Sequence, residues 1–196
     1  MKVLDALRHQ LNQRFPEASQ VRWSQGHEDA VFFDWPGGVL RELVAAPGAG
    51  ASLMMQEWLS RGQATRALLD AADGFDPASC DAQLRAELLW LRCRGVEQAM
   101  QAADLLLREG SVRTLSMDFR LCEPAHLRAT PSSSWHRLRL LARRSAVCVL
   151  VCSPFAWLPC AQARWVFEGG CLDLSDLQQG RHELLKQKLP KLQRVA

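Results

Sequence analysis

Residues 39–52 read VLRELVAAPGAGAS, and this stretch decides the fold class. Its first six residues are mostly Val and Leu, a composition that is typical of a β-strand. The seven residues that follow are Ala, Gly and Pro47, which predict a loop of very small side chains. From residue 53 to residue 61 the pattern becomes helical, and Gly62 then ends the predicted helix. The order of strand, small-residue loop and helix indicates the beginning of a βαβ unit.

The same alternation of strand and helix continues along the chain. Two of the later predicted strands end at an acidic residue. A mostly parallel α/β sheet with helices on both faces is therefore the predicted fold. Ligands bind such sheets at the carboxyl ends of the strands, so the small-residue loop, Asp70 and Asp118 are expected to converge on one edge. The further predicted strands are 66–70, 88–91, 112–117 and 146–152, and the predicted helices are 82–86, 96–109 and 132–144, the last opened by a Ser cap.

The two ends of the chain have their own patterns. Residues 4–15 predict an amphipathic helix ended by Pro16, and residues 20–23 predict a short strand. Near the other end, residues 164–167 and 171–174 predict a hairpin, and residues 177–192 predict a basic helix broken near Pro190. The expected organisation is an N-terminal arm over 1–30, a core over 31–175 and a basic tail over 176–196.

The composition is that of a globular protein that can bury a core. The chain has 196 residues, of which 48% are hydrophobic and 23% charged. No apolar run approaches the roughly 20 residues that span a bilayer, and the N-terminal residues have no apolar segment typical of a secretory signal. Seven cysteines, an odd number without a tight framework, favour reduced thiols in the cytoplasm.

The net charge of +3 is unevenly distributed. Residues 1–110 contain 11 Lys and Arg against 15 Asp and Glu, whereas residues 111–196 contain 13 against 6, which gives −4 and +7. A basic half suggests contact with a macromolecule, and the alternative is an ordinary solvated surface. The candidate nucleic-acid contacts are the basic residues of two predicted helices: Arg137, Arg139, Arg143, Arg144, Lys186, Lys188 and Lys191.

Cys148, Cys152 and Cys160 could be combined with two histidines, His126 and His136, as a zinc site. However, the sequence has no C-x₂-C or H-x₃-H pair of the kind that structural zinc sites use. Cys148 and Cys152 also lie four residues apart on a predicted buried strand, so they face the same side. Core cysteines are the favoured interpretation, and no metal is predicted.

The small-residue loop partly matches a phosphate-binding loop, G-x-x-x-x-G-K-[ST], in which backbone N–H groups and the Lys bind phosphates and the hydroxyl binds Mg²⁺. Aligned on Gly50, the first Gly of the motif falls on Ala45, its Lys on Ala51 and its Ser or Thr on Ser52. Gly48 lies within the loop. The candidate nucleotide-binding residues of this degenerate loop are Ala45, Gly48, Gly50, Ala51, Ser52 and Asp118.

The segments around this loop resemble the RecA recombinase core in order and spacing over about residues 39–155. LLDAADGFDP at 68–77 is similar to the RecA strand that ends Asp-Ala-Glu, and GVEQAMQAADLLLREG at 95–110 is similar to its Glu-Gln-Ala-Leu helix. Residues 112–118 then stand where the Walker B strand and its Asp belong. The resemblance implies a RecA-like fold, with Ser52 and Asp118 as the remaining candidate metal ligands.

Three departures from the RecA pattern argue against catalysis. The Lys of the phosphate loop falls on Ala51, the Glu that activates water falls on Ala72, and the γ-phosphate sensor falls on residues 153–154. The segment 154–163 is also too short for the second DNA-binding loop, so DNA binding is expected to be weak and salt-sensitive. We therefore expect no enzymatic activity and no cofactor, ATP and Mg²⁺ included.

A RecA-like chain with these losses resembles the ImuA-type accessory proteins of bacterial damage-response cassettes, in LLWLRCR at 88–94 and SWHRL at 134–138 among other segments. The resemblance implies a cytoplasmic, non-catalytic role in DNA repair and translesion synthesis during the SOS response. Its implied partners are RecA, an ImuB-like or Y-family polymerase subunit, and a second copy of the chain. A weak ATP- or DNA-binding module and a SulA-like inhibitor of cell division are the alternatives.

In RecA filaments the N-terminal helix and strand of one subunit pack on the core of the next subunit. Residues 4–23 of this chain have the same order of elements, and a helix this short needs a surface for its apolar face. The resemblance therefore implies a partner-binding face formed by Leu4, Leu7, Leu11 and Phe15.

Overall fold

The computed structural model describes residues 37–62, 65–167 and 192–194. The predicted N-terminal arm with its partner-binding leucines, the strand 171–174 and Lys186, Lys188 and Lys191 lie outside these residues. The predicted basic helix over 177–192 is wrong at Leu192, which begins a strand, and the rest of that helix lies outside the described part.

The described strands form one seven-stranded sheet whose order is β3-β2-β4-β5-β1-β6-β7. The first six strands are parallel, and β7 pairs antiparallel with β6 at one edge. The predicted α/β class with a mostly parallel sheet is thus confirmed. The strands are β1 (Leu40–Val44), β2 (Arg66–Asp70), β3 (Leu88–Arg92), β4 (Thr114–Asp118), β5 (Cys148–Ser153), β6 (Ala163–Phe167) and β7 (Leu192–Arg194).

The helices lie between the strands, as the βαβ pattern requires. They are α1 (Ala51–Arg61), α2 (Ala82–Glu87), α3 (Val96–Glu109), α4 (Pro124–Arg128) and α5 (Ser132–Ser145), and a 3₁₀ turn covers Pro77–Ser79. The predicted Ser cap of α5 is wrong, because Pro131 occupies the N-cap position and α5 has no side-chain cap. Helix α4 was not predicted, since five residues are too few to show a helical period.

Alternate strand residues face two different layers of helices. Leu69, Leu115 and Val149 pack in one buried cluster with Ala103 and Leu138 of α3 and α5, which defines the α3/α5 face of the sheet. The residues between them, such as Ser116, point to the opposite face, the α1 face. The predicted helices on both faces are confirmed.

The strands differ in how completely they are buried. Every residue of β1, β2, β4 and β5 is buried, whereas every residue of the outer strand β3 is at least partly exposed. Two charged residues, Arg41 and Glu42, lie inside buried β1 at 6% and 0% exposure. Burial of a charge is costly without a partner, so the contacts of Glu42 decide how the neighbouring loops pack.

In the described ranges no helix is long and apolar enough to cross a membrane. Within the same ranges no three His, Cys, Asp or Glu side chains form a cluster that could hold a metal ion. Cys148 and Cys152 both point to the α1 face of β5 and are buried, as expected of core cysteines.

The buried thiols should be chemically inert in the folded protein. Burial raises the pKa of Cys148 and of Cys152 to about 12, whereas the half-buried Cys93 has a smaller increase for the same main reason. Because the thiolate is the reactive form, alkylation by iodoacetamide at pH 8 should modify Cys148 and Cys152 about tenfold or more slowly than Cys93. Mass spectrometry of peptides from timed samples measures these rates.

The same pKa values fix the pH dependence of stability. An unfolded thiol releases its proton near its ordinary pKa of 9.0, while the folded Cys148 and Cys152 keep theirs up to about 12. Their contribution to stability is therefore complete below pH 9 and is lost as the pH rises above it. Equal alkylation rates of Cys93, Cys148 and Cys152 in the native protein would contradict the raised pKa values of the two buried thiols.

Candidate functional site

The small-residue loop connects β1 to α1 at the carboxyl edge of the sheet, where the sequence placed it. Gly48 and Gly50 have φ values of 79° and 84°, a region that side chains disfavour, and Gly50 is the N-cap of α1. Residues 46–48 are exposed, whereas Ala45, Ala49 and Ala51 are buried. The buried alanines pack the loop against the core. One of them, Ala51, occupies the position at which a phosphate-binding loop has its Lys.

The structure brings together Ser52 and Asp118, the two candidate metal ligands, but an arginine lies between them. Arg120 donates from Nε and Nη2 to the two oxygens of Asp118, at 2.9 and 2.6 Å. The same Nη2 donates to Ser52 Oγ at 2.9 Å. The side chain of Arg120 thereby links the first turn of α1 to the end of β4.

This ion pair is buried on the α1 face. Arg120 is 8% exposed and Asp118 is 5% exposed. Burial alone disfavours the charged guanidinium, but the hydrogen bonds and negative charge of Asp118 outweigh it, so the pKa of Arg120 is raised. The guanidinium of Arg120 therefore keeps its positive charge in this buried position.

The geometry does not fit a Mg²⁺-nucleotide complex of the kind the RecA resemblance implies. A Mg²⁺ ion takes carboxylate and hydroxyl oxygens as ligands, and here the guanidinium already occupies both Asp118 oxygens and the Ser52 hydroxyl. The positive charge between Ser52 and Asp118 is thus supplied by the side chain of Arg120. Without a Lys at residue 51, the loop also has no side chain that would neutralise phosphate charge.

Asp70, at the end of the neighbouring strand, stabilises a turn. Its carboxylate accepts hydrogen bonds from the backbone N–H groups of Ala72, Gly74 and Phe75, at 3.4, 3.0 and 3.0 Å. Asp70 pairs in register with Asp118, as the convergence of the strand ends predicted. Because its oxygens accept from the turn, Asp70 fixes the backbone of the segment that contains Ala72.

A second buried carboxylate holds the connection between β5 and β6. Oε1 of Glu42 accepts from Ser153 Oγ, Trp157 N and Leu158 N at 2.9 to 3.1 Å. Oε2 accepts from Nε of Arg164 at 2.5 Å, and Nη2 of that arginine donates to the Leu158 carbonyl. The short segment between β5 and β6 is therefore packed against the core.

The chain matches no protein-family model and no curated protein. The assignment of a function therefore depends on the residues and on their geometry.

The four arginines of α5 that are predicted to contact nucleic acid are not part of this site. They lie on the helix that covers the α3/α5 face, whereas Ser52 and Asp118 meet on the α1 face. Arg137 forms an ion pair with Asp104 of α3 at 2.8 Å, and Arg139 is half-buried. Arg143 and Arg144 are exposed at the last turn of α5.

Arg120 and Glu42, the two residues that organise this edge, were not among the residues predicted from the sequence. Signals for both were present. Arg120 follows Asp118 by two residues at a predicted strand end, and Glu42 is a charge within a predicted buried strand. Neither signal shows which partner a side chain will meet, because Ser52 and Arg164 are 68 and 122 residues away from them in sequence.

The Arg120 bridge should contribute strongly to stability. In Arg120→Ala the Asp118 carboxylate is left buried without its cation, so the free energy of unfolding should fall by about 3–5 kcal/mol. Ser52→Ala removes one hydrogen bond of the bridge and should cost only about 1 kcal/mol. Urea unfolding followed by circular dichroism measures both changes.

The exposed pair of Arg92 with Asp73 provides a matched control, since both of its side chains are more than half exposed. Arg92→Ala should leave the urea midpoint almost unchanged, because water screens such pairs. An Arg120→Ala midpoint equal to that of Arg92→Ala would refute the assigned role of the bridge.

Proposed function

We propose that this protein is a non-catalytic, RecA-like accessory protein of bacterial DNA repair and translesion synthesis in the SOS response, and that it acts in the cytoplasm through protein contacts. The proposal combines the RecA and ImuA-type sequence resemblance with one structural observation. That observation is the guanidinium of Arg120, which lies between Ser52 and Asp118. It supports a role in which the ancestral nucleotide site has become part of the core.

Two independent losses support the absence of ATP hydrolysis. The Lys that would stabilise the charge of a transferred phosphoryl group is missing at residue 51, and such a group contributes several kcal/mol to catalysis. The Glu that would activate the attacking water is missing at residue 72. In addition, the oxygens that would bind the metal already hold Arg120. Restoring the Lys and the Glu would leave Arg120 bound to the oxygens that would hold the metal. Removing Arg120 would leave the Lys and the Glu missing.

Weak DNA binding is a second candidate activity, and the composition of α5 favours it. The helix carries four arginines and no acidic residue, and two of these arginines are exposed in its last turn. The pairing of Arg137 with Asp104 reduces the charge that this face offers to phosphates. Contact with DNA would therefore be secondary to contact with a protein.

The purified protein should hydrolyse no ATP above background, with or without single-stranded DNA. A coupled phosphate-release assay measures this, with Ser52→Ala as the matched control for contaminating activity. Hydrolysis in the wild type that disappears in the folded Ser52→Ala variant would contradict the proposal, because the activity would then belong to this loop.

The apolar face of the predicted N-terminal helix should bind the partner. Leu7→Asp combined with Leu11→Asp should abolish binding to RecA or to an ImuB-like or Y-family polymerase subunit, because each buried Leu contributes roughly 1.5–3 kcal/mol. Isothermal titration calorimetry with each purified partner measures the loss, and Leu140→Asp, at an exposed leucine of α5, is the control.

The melting temperature distinguishes the two roles this helix could have. If the Leu7→Asp, Leu11→Asp variant keeps the wild-type melting temperature and loses binding, the helix is a docking element. If the variant unfolds, the helix belongs to the core and the proposed contact is wrong.

A further inference from the structure

Strand β3 is the outermost strand on one side of the described sheet, and it is unusually apolar for that position. Residues 88–92 read LLWLR, so four of the five side chains are large hydrophobic groups. Leu89 is 41% exposed, and Leu88, Trp90 and Leu91 are each partly exposed. The neighbouring strand β2, in contrast, is buried at every residue.

The backbone of β3 has an outward row of hydrogen-bonding groups. The N–H of Cys93 donates to the carbonyl of Asp70 in β2 at 2.8 Å. Since N–H and C=O groups alternate in direction along a strand, Leu89 and Leu91 also bond toward β2. The groups of Leu88, Trp90 and Arg92 therefore point away from the described sheet.

Strand β3 has few of the features by which proteins protect such an edge. It contains no Lys and no Pro, and its pairing with β2 is continuous over five residues without a bulge. A single charged residue, Arg92, lies at its end. An apolar edge of this kind is a template for another strand, and the sequence of β3 indicates which one.

We propose that β3 pairs with β3 of a second copy of the chain, as an antiparallel pair centred on Trp90. In this register the outward groups of Trp90 bond to those of the second Trp90, and Leu88 bonds to Arg92 of the second copy. On the α3/α5 face, exposed Leu89 lies opposite Leu91 of the second copy, twice by symmetry. The apolar side chains of each copy thus cover those of the other.

The charges of this strand complement the same arrangement. Glu87 precedes β3 and Arg92 ends it, and their side chains are 46% and 61% exposed. Within each copy they pair with Arg66 and Asp73, and water screens such exposed charges, so both can also interact with a second copy. Antiparallel pairing places Arg92 beside Leu88 and Glu87 of the second copy, at both ends of the interface. A parallel pair would place like charges together, so the charges favour the antiparallel dimer.

The interface closes on itself, because the same patch is used by both copies. It therefore yields a dimer and no larger assembly. Five residues from each copy bury a small area, which corresponds to a weak complex with a dissociation constant in the micromolar range. This inference is independent of the proposed function, since it uses neither the degenerate loop nor the N-terminal helix.

Sedimentation equilibrium of the full chain over roughly 1–300 µM tests the dimer. The wild type should change from monomer to dimer over this range. In Leu89→Lys two buried leucines become charges at the dimer centre, so the dissociation constant should increase by about tenfold or more. Leu140→Lys is the matched control, since Leu140 is equally apolar and 51% exposed but lies on α5, and it should dimerise as the wild type does.

Cysteine crosslinking tests the register. Leu89 and Leu91 of the second copy form a pair without direct backbone hydrogen bonds, where Cα atoms are close enough for a disulfide. A mixture of Leu89→Cys and Leu91→Cys chains should therefore form a crosslinked heterodimer under mild oxidation. Each variant alone, and the wild type with its own cysteines, should form about tenfold less.

Three results would overturn the proposal. The first is a wild type that stays monomeric at all concentrations, and the second is an association that Leu140→Lys weakens as much as Leu89→Lys does. The third is a crosslinking yield from the mixture no greater than from the separate variants. Circular dichroism of each variant establishes that it is folded, so that loss of association reports on the edge and not on the monomer.

Discussion

The buried ion pair between Arg120 and Asp118 is the interaction on which the rest of the carboxyl edge depends. A carboxylate at 5% exposure requires a compensating charge, and the structure supplies it from two residues further along the same chain. Because the same guanidinium reaches Ser52, the first turn of α1 is fixed to the end of β4. In a nucleotide-binding protein a metal and a phosphate would connect these two elements, and here a side chain does so.

Glu42, on the other face of the sheet, is also a buried carboxylate that pairs with an arginine of the chain. Its carboxylate is fully buried in β1 and accepts four hydrogen bonds from the β5–β6 connection and from Arg164. Asp118 and Glu42 thus each have an arginine partner and backbone or hydroxyl donors, which satisfies their oxygens from within the chain. Their shared effect is to close, by internal contacts, the edge where parallel sheets of this class bind ligands.

These internal contacts at the carboxyl edge affect which surfaces are available for contact with a partner. Among the described residues, the large apolar side chains that are exposed lie on the edge strand β3, on the outer turns of α3 and α5, and, as Leu121, in the loop that follows β4 at the carboxyl edge. Exposed apolar surfaces of this kind are suited to contacts with proteins, which supports the proposed accessory role.

The fold class and the position of the candidate site follow from local patterns in the amino-acid sequence. The alternation of apolar strands with helices of period 3.6 is a local property, so β1, β2, α3 and the strand that ends at Asp118 could be predicted from their own residues. The approach of Ser52 to Asp118 followed as well, since parallel strands end at one edge. Helix starts were less certain, as Pro131 in place of a Ser cap shows.

Long-range contacts, by contrast, determine what occupies that site and which strands lie at the edges of the described sheet. The partner of a charged side chain depends on distances between residues far apart in sequence, and no local pattern states that Arg120 meets Ser52 or that Arg164 meets Glu42. Likewise, LLWLR reads as an apolar strand in either a central or an edge position, because apolar strands are common in both. The strand order β3-β2-β4-β5-β1-β6-β7 places it at the edge, and this order arises from long-range packing of the whole sheet.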